Sequence, residues 1–258
     1  MDTATVVITG QKGSKKPALK IRYQRVQTTR GGSGVTGKIS EIFESVQGEG
    51  LYFGDRQLFV RFFGCNLKCK FCDTKQDVFV ECDLRQLFGK IMTYKGKYRF
   101  ISFTGGEPLL QVDFLKQIME LTHKSRFKNY LETNGTLAEA LAEVIEYVDI
   151  ISMDLKLPSS TGIKENLWLK HRKFLKVASK KDTFLKAVVS EGTTEEDLYV
   201  AINLIRESGK GMVLVLQPNY YDDYRKLEPK LNKFKDACMK EGIVSCIIPQ
   251  MHKMMGMR

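Results

Sequence analysis

Three cysteines fall within eight residues, Cys65-Asn-Leu-Lys-Cys69-Lys-Phe-Cys72. Thiolates are the soft ligands that iron–sulfur clusters require. Three of them on one tight loop can hold three irons of a cubane cluster and leave the fourth iron open to an outside ligand. A zinc site completed by Cys82 or a histidine would draw on the same atoms, and so would cysteines that are merely buried. Zinc sites favour paired CxxC halves, however, and no second pair is present. Cys82, Cys238 and Cys246 are scattered, and no basic-then-apolar leader opens the chain. The pattern therefore points to ligation in a reducing, cytoplasmic setting rather than to a disulfide framework.

Such a loop needs elements to hold it. Apolar, β-branched or aromatic runs at 58–63, 98–104, 129–133, 148–156, 184–190, 212–217 and 244–249 read as strands. Stripes at helical spacing occupy 111–125, 137–147, 194–208 and 227–241. Thr193-Thr194-Glu195-Glu196 supplies a capping box to the third stripe and Gly209 a stop. Alternating strand and helix patterns predict a largely parallel sheet covered by helices, open or barrel-like. In such sheets the chemistry sits beyond the carboxyl ends of the strands. Gly64-Cys65, Thr104-Gly-Gly-Glu-Pro108, Thr133-Asn-Gly135, Asp154-Leu-Lys156, Gln217-Pro218 and Pro249-Gln-Met-His252 all fall there. Six loops on one face make a site.

The chain has 258 residues, 43% hydrophobic and 28% charged, with a formal charge of +11. No apolar run approaches the roughly 18 residues that span a bilayer, so no membrane partner is expected. Residues 1–36 carry seven Lys and Arg against Asp2 alone and read as a separate basic arm. Alternation in 5–9 and 19–26 suggests a hairpin there, and Gly31-Gly-Ser-Gly34 a flexible joint before a domain spanning 37–258. The arm fits a nucleic-acid contact and a solvated tail equally well.

The cysteine loop, with Thr104-Gly-Gly-Glu-Pro108 after the next strand, resembles the signature of the radical S-adenosylmethionine (SAM) superfamily. That resemblance implies a partial, open βα barrel. The surrounding residues are similar to the 7-carboxy-7-deazaguanine synthase family. They are Glu41-Ile-Phe-Glu-Ser-Val-Gln-Gly-Glu-Gly50, Phe59-Val-Arg-Phe-Phe-Gly-Cys-Asn-Leu67, Cys72-Asp-Thr74, Glu132-Thr-Asn-Gly135, Lys156-Leu-Pro-Ser-Ser160, Gln217-Pro218 and Pro249-Gln-Met-His-Lys253. The likeness spans 38–258. It implies a lyase that converts 6-carboxytetrahydropterin to 7-carboxy-7-deazaguanine with loss of ammonia, feeding queuosine-type nucleosides. It also implies a [4Fe–4S] cluster, SAM and Mg²⁺ as cofactors and a reducing electron-transfer protein as partner, and it is compatible with a homodimer.

By position, the resemblance makes Cys65, Cys69 and Cys72 cluster ligands. Phe71, Cys72, Asp73, Gly106, Asp154, Leu155, Lys156, Gln217, Pro218, Asn219 and Tyr220 fall at SAM-contacting positions. Val46, Gln47, Gly48, Glu49, Arg61, Thr104 and His252 fall at substrate positions, and Thr74 matches a Mg²⁺ ligand. The chemistry is reasonable. Arg61 can pair bidentately with the substrate carboxylate. Gln47 and Glu49 offer an amide and a carboxylate to an aminopyrimidinone edge. Plainer readings are a structural Arg61, a polar turn at 45–50 and a surface His252, as for His123 and His171. Two rival functions are a glycyl-radical activase, which shares the triad, and a zinc-containing nucleic-acid module.

Overall fold

Strand β1 (Thr36–Val46) returns through a connection over residues 47–55 into β2 (Arg56–Phe62) and lies antiparallel to it, with Glu41 opposite Arg61 and Ser45 opposite Gln57. The computed structural model describes residues 34–74, 77–209 and 211–256. The hairpin expected in the basic arm lies outside them. Strand β3 (Val80–Asp83) pairs antiparallel with the other side of β1. From β2 onward every neighbour is parallel: β4 (Phe100–Gly105), β5 (Lys128–Thr133), β6 (Ile150–Asp154), β7 (Asp182–Val189), β8 (Leu214–Pro218) and β9 (Ser245–Ile247). The sheet runs β3-β1-β2-β4-β5-β6-β7-β8-β9, and its ends do not pair with each other. This is the partial, open βα barrel that the family resemblance implied, built on the largely parallel sheet that the alternating pattern predicted.

The helices are α1 (Leu84–Met92), α2 (Val112–Lys124), α3 (Ala138–Val144), α4 (Pro158–Thr161), α5 (Trp168–Ala178), α6 (Glu195–Glu207), α7 (Tyr224–Lys240) and α8 (Met251–Met254). The expected stripe in α2 is the buried one: Phe114, Leu115, Ile118 and Met119 face the sheet. At α6 the Thr194 hydroxyl accepts from Asp197 N (3.3 Å), a cap bond from threonine alone, and Gly209 follows at φ +69. None of the described helices is long and apolar enough to cross a membrane.

Strands β1 and β3 and helices α1, α4, α5 and α8 are additions to the expected elements. Helix α1 carries a reciprocal cap, in which Asp83 accepts from Gln86 N (2.8 Å) and Gln86 from Asp83 N (3.0 Å). Helix α5 buries Phe174 and Leu175, each contributing about 1.5–3 kcal/mol, but a histidine, His171, interrupts its apolar stripe.

Side chains alternate across each strand, so the inner face of the barrel can be read two residues at a time. On the outer face Leu58, Val60, Ile101, Phe103, Leu131, Ile151 and Leu185 join the helices in the main core. Toward the amino ends of the strands the inner face is apolar: Tyr130, Ile150, Phe184 and Val215 pack with Tyr52, Phe100 and Ile248. One step further along each strand it turns polar, with Ser102 and Thr104, Glu132, Asp154, Lys186 and Gln217. The plug supports this polar layer and keeps water from below.

Candidate active site

The cysteine loop leaves β2 and is tied down by its neighbours. Lys70 N donates to Thr161 O (2.8 Å), and the Asn66 amide donates to Thr136 Oγ1 (2.9 Å). Asn134 Nδ2 reaches Asn66 Oδ1 (2.8 Å) and the Cys65 sulfur (3.9 Å). Cys65 and Cys72 are exposed, Cys69 is half-buried, and all three are free thiols. Burial pushes the Cys65 and Cys69 thiols up, while the Lys156 ammonium acts the other way. Cys82 is not part of this loop; it sits on β3 with its sulfur against Gly37 O (3.8 Å).

The following loop is moulded to the first. A Cβ on Gly106 would lie 2.1 Å from Gly64 O and 2.8 Å from Cys65 Cβ, so only glycine permits this approach. Glu107 N donates to Gly64 O (2.8 Å). Its buried carboxylate accepts from Thr133 Oγ1 (3.0 Å), Asn134 N (2.7 Å) and Leu109 N (3.1 Å), locking three loops together. Three free thiols on one anchored loop, faced by a bare glycine, fit a [4Fe–4S] cluster with SAM beside it.

Burial pushes the Glu107 carboxyl up to about 7, against the hydrogen bonds from Asn134, Leu109 and Thr133. The unfolded chain titrates it near 4.5, so between these values the folded state binds more protons. Its contribution to stability is full below the lower value and declines as pH rises through the upper one. Glu107→Gln should flatten this decline, measured as the difference in urea unfolding free energy between pH 5.5 and 7.5. Equal pH dependence in both proteins would show that Glu107 does not titrate there.

Two carboxylates organise the polar layer. Glu132 accepts from Gln47 Nε2 (2.7 Å), Thr104 Oγ1 (2.6 Å) and Ser102 Oγ (3.3 Å). Glu49 accepts from Lys186 Nζ (2.5 Å) and Gln250 Nε2 (2.7 Å). Lys186, whose side chain is only 4% exposed, also reaches Asp154 (3.3 Å), which pairs with Lys156 (3.0 Å). Burial alone would raise the Asp154 carboxyl, but Lys156 and Lys186 together bring it down to about 2. Burial would likewise raise Glu49, yet Lys186 keeps it lowered. Alternating signs make so much buried charge tolerable.

Of the expected substrate positions, Gln47, Glu49 and Thr104 meet in this layer. Val46 ends β1, and His252 packs on Gly48, where a Cβ would lie 2.5 Å from its ring nitrogen Nδ1. Arg61 lies on the inner face of β2, its Nε on Glu41 (2.9 Å) and its guanidinium over Phe43 (5.2 Å). Of the expected SAM positions, Phe71 lies under Lys156 (5.9 Å) and joins Asp154, Leu155 and Lys156 in lining a small cleft. Gln217 is buried, with its Oε1 unpartnered, and Pro218 follows it at the end of β8. Asn219 donates to Asp222 (3.0 Å), and Tyr220 is exposed beside Lys253 (5.0 Å). Thr74 Oγ1 lies 3.4 Å from Asp73 Oδ1, and Asp73 pairs with Lys253 (2.5 Å).

Ser102 and Lys186 carry no signal in the motifs above, and Glu132, Gln250 and Lys253 fall inside motifs without an assigned role. The available signal for Lys186 was a lone charge inside the apolar run 184–189. His171 is no surface residue: it is fully buried in α5, and burial pulls its imidazole down to about 4.

Residues 59–227 match the Radical SAM superfamily. With the barrel, the cysteine loop and the moulded glycine, the chain is a radical SAM enzyme, using a [4Fe–4S] cluster and SAM on a small-molecule substrate. It is 36% identical to a 7-carboxy-7-deazaguanine synthase of Geobacter sulfurreducens, covering 85% of this chain and 97% of that protein. To the protein of that name from Thermoplasma acidophilum it is 34% identical, covering 83% and 95%. The crystal structure of QueE from Escherichia coli superposes with a TM-score of 0.57 at 20% identity, covering 82% of this chain and 93% of that one. The chain belongs to the 7-carboxy-7-deazaguanine synthase family. The activase and zinc-module readings are set aside.

Proposed function

We propose that this chain converts 6-carboxytetrahydropterin to 7-carboxy-7-deazaguanine with loss of ammonia, in the cytoplasm and with an electron-transfer protein as reductant. When bound, the reduced cluster and SAM supply the carbon radical that removes a hydrogen from the substrate. The protein's own part is to bind, orient and exclude water. The observation that carries the reading is the polar layer around Glu132 and Glu49, set on an apolar plug and opening toward the cysteine loop. Amide, hydroxyl and carboxylate groups there match the donors and acceptors of an aminopyrimidinone, and Arg61 supplies a cation for its carboxylate. Anaerobic reconstitution followed by assay with SAM, reductant and 6-carboxytetrahydropterin tests it. Ring-contracted product is expected, and SAM cleavage without it would sink the substrate assignment.

In the same reading Thr74 gives its hydroxyl to Mg²⁺, which takes its other ligands from water and substrate oxygens. Fixing the substrate carboxylate and neutralising its charge would be the ion's task. Thr74→Ala is expected to keep cluster content and SAM binding but lose Mg²⁺ stimulation of product formation, and Thr74→Ser to retain much of it. An alanine variant that responds to Mg²⁺ like the parent would remove Thr74 from the metal's ligands.

A further inference from the structure

Glu49 stands at the fork of two side-chain chains that both end on the cysteine loop. One runs through Lys186 (2.5 Å), Asp154 (3.3 Å) and Lys156 (3.0 Å) to the ring of Phe71 (5.9 Å). The other runs through Gln250 (2.7 Å) and Lys253 (2.9 Å) to Asp73 (2.5 Å). Phe71 and Asp73 bracket Cys72. The two arms close a belt of polar contacts between the 47–49 turn and the loop that carries the thiols.

The second arm has one unusual member. Lys253 lies on α8, a helix of four residues whose neighbours Met254 and Met255 are exposed. Its own side chain is only 15% exposed. The ammonium meets a carboxylate, an amide oxygen and the faces of Tyr220 (5.0 Å) and Tyr221 (5.1 Å). Desolvating an ammonium is costly, and lysine ordinarily leaves its head in water. Four partners on so short a helix are more than anchoring α8 requires, because Met251 N already donates to Gly48 O (2.9 Å).

We infer that Lys253 is a positioning residue that ties the substrate-side turn to the cysteine loop through Gln250, so that pterin and SAM bind cooperatively. This rests on the function proposed above. A ligand group on Glu49 fixes that carboxylate and with it Gln250. Lys253 then holds Asp73 and the backbone just after Cys72 where SAM is to lie. Coupling between sites is a free energy carried by such contiguous contacts, and it is reciprocal.

Calorimetry on the anaerobic, cluster-loaded enzyme without reductant, where no turnover occurs, tests this. The affinity for SAM is measured with and without saturating 6-carboxytetrahydropterin. In the parent enzyme the pterin should tighten SAM by at least about fivefold. Lys253→Met should bring that ratio to within about twofold of one, and Lys253→Arg should keep it. Gln250→Leu cuts the same arm while leaving Lys253 on Asp73. It should lose the ratio too, and it decides the matter if the methionine variant does not fold. A parent ratio of one overturns the inference, as does a parental ratio in Lys253→Met or, where that variant fails, in Gln250→Leu. Failure of the parent enzyme to bind the pterin at all would instead overturn the functional reading, and the inference with it.

Discussion

Replacing Cys65, Cys69 or Cys72 by Ala is expected to abolish both the iron–sulfur chromophore and SAM cleavage. Cys82→Ala, Cys238→Ala and Cys246→Ala should each keep them. The three loop thiols have no disulfide partners, and two are exposed at the mouth of the barrel. The other three are spread over β3, α7 and β9. A cubane held by two thiolates has lost one of its iron ligands. Iron and sulfide content, the visible spectrum and 5′-deoxyadenosine release measure the outcome. A variant of the loop that retains a full cluster, or loss of the cluster on Cys82→Ala, would reassign the ligands.

Lys186→Met should be the most destabilising single change in the polar layer. It leaves Glu49 and Asp154 buried with one cation, Lys156, between them. Removing one partner from a buried charge pair costs about 3–5 kcal/mol. For a domain of this size that is a fall in melting temperature of roughly 10 °C. The sign of the pH dependence follows from the lost cation. Burial is the largest influence on Glu49, and Lys186 is what holds its carboxyl down. Without Lys186 its folded pKa rises above the unfolded value, so the variant's deficit should shrink as pH falls toward the unfolded value and widen as pH rises. Glu49→Gln placed on top of Lys186→Met should restore part of the loss, because the two sites share one interaction. A deficit under about 1 kcal/mol at neutral pH would mean that water compensates Glu49, and that the layer is wetter than its burial indicates.

What could be read from the sequence, and what could not, divides by range. The cysteine loop and Thr104-Gly-Gly-Glu-Pro108 are legible because their chemistry depends on residues a few positions apart. The parallel strands are legible because burial on both faces makes most of their residues apolar. Strand β1 is not, since Lys38, Glu41 and Glu44 interrupt it and its register slips between Ile39 and Glu41. That slip sets Glu41 against Arg61, a pairing that no periodicity reveals. Lys186 and Asp154 meet because β6 and β7 align them as neighbours, and Glu49 joins from a turn 137 residues away. Helix α5 escaped because its stripe includes His171, a polar residue that is buried.

The contact of Gln250 with Glu49 spans 201 residues of chain. The order in which parts of the site can form during synthesis follows from that separation. The thiol loop takes its backbone and amide anchors from Asn134, Thr136 and Thr161, well before the end of the sequence. The wall formed by Gly48, His252 and Gln250 closes only when α8 returns to the 47–49 turn, after every intervening strand has been laid down. Long-range closures of this kind carry the highest entropic cost and form late in folding. A nascent chain therefore completes the thiol loop before it completes the wall that closes on the 47–49 turn.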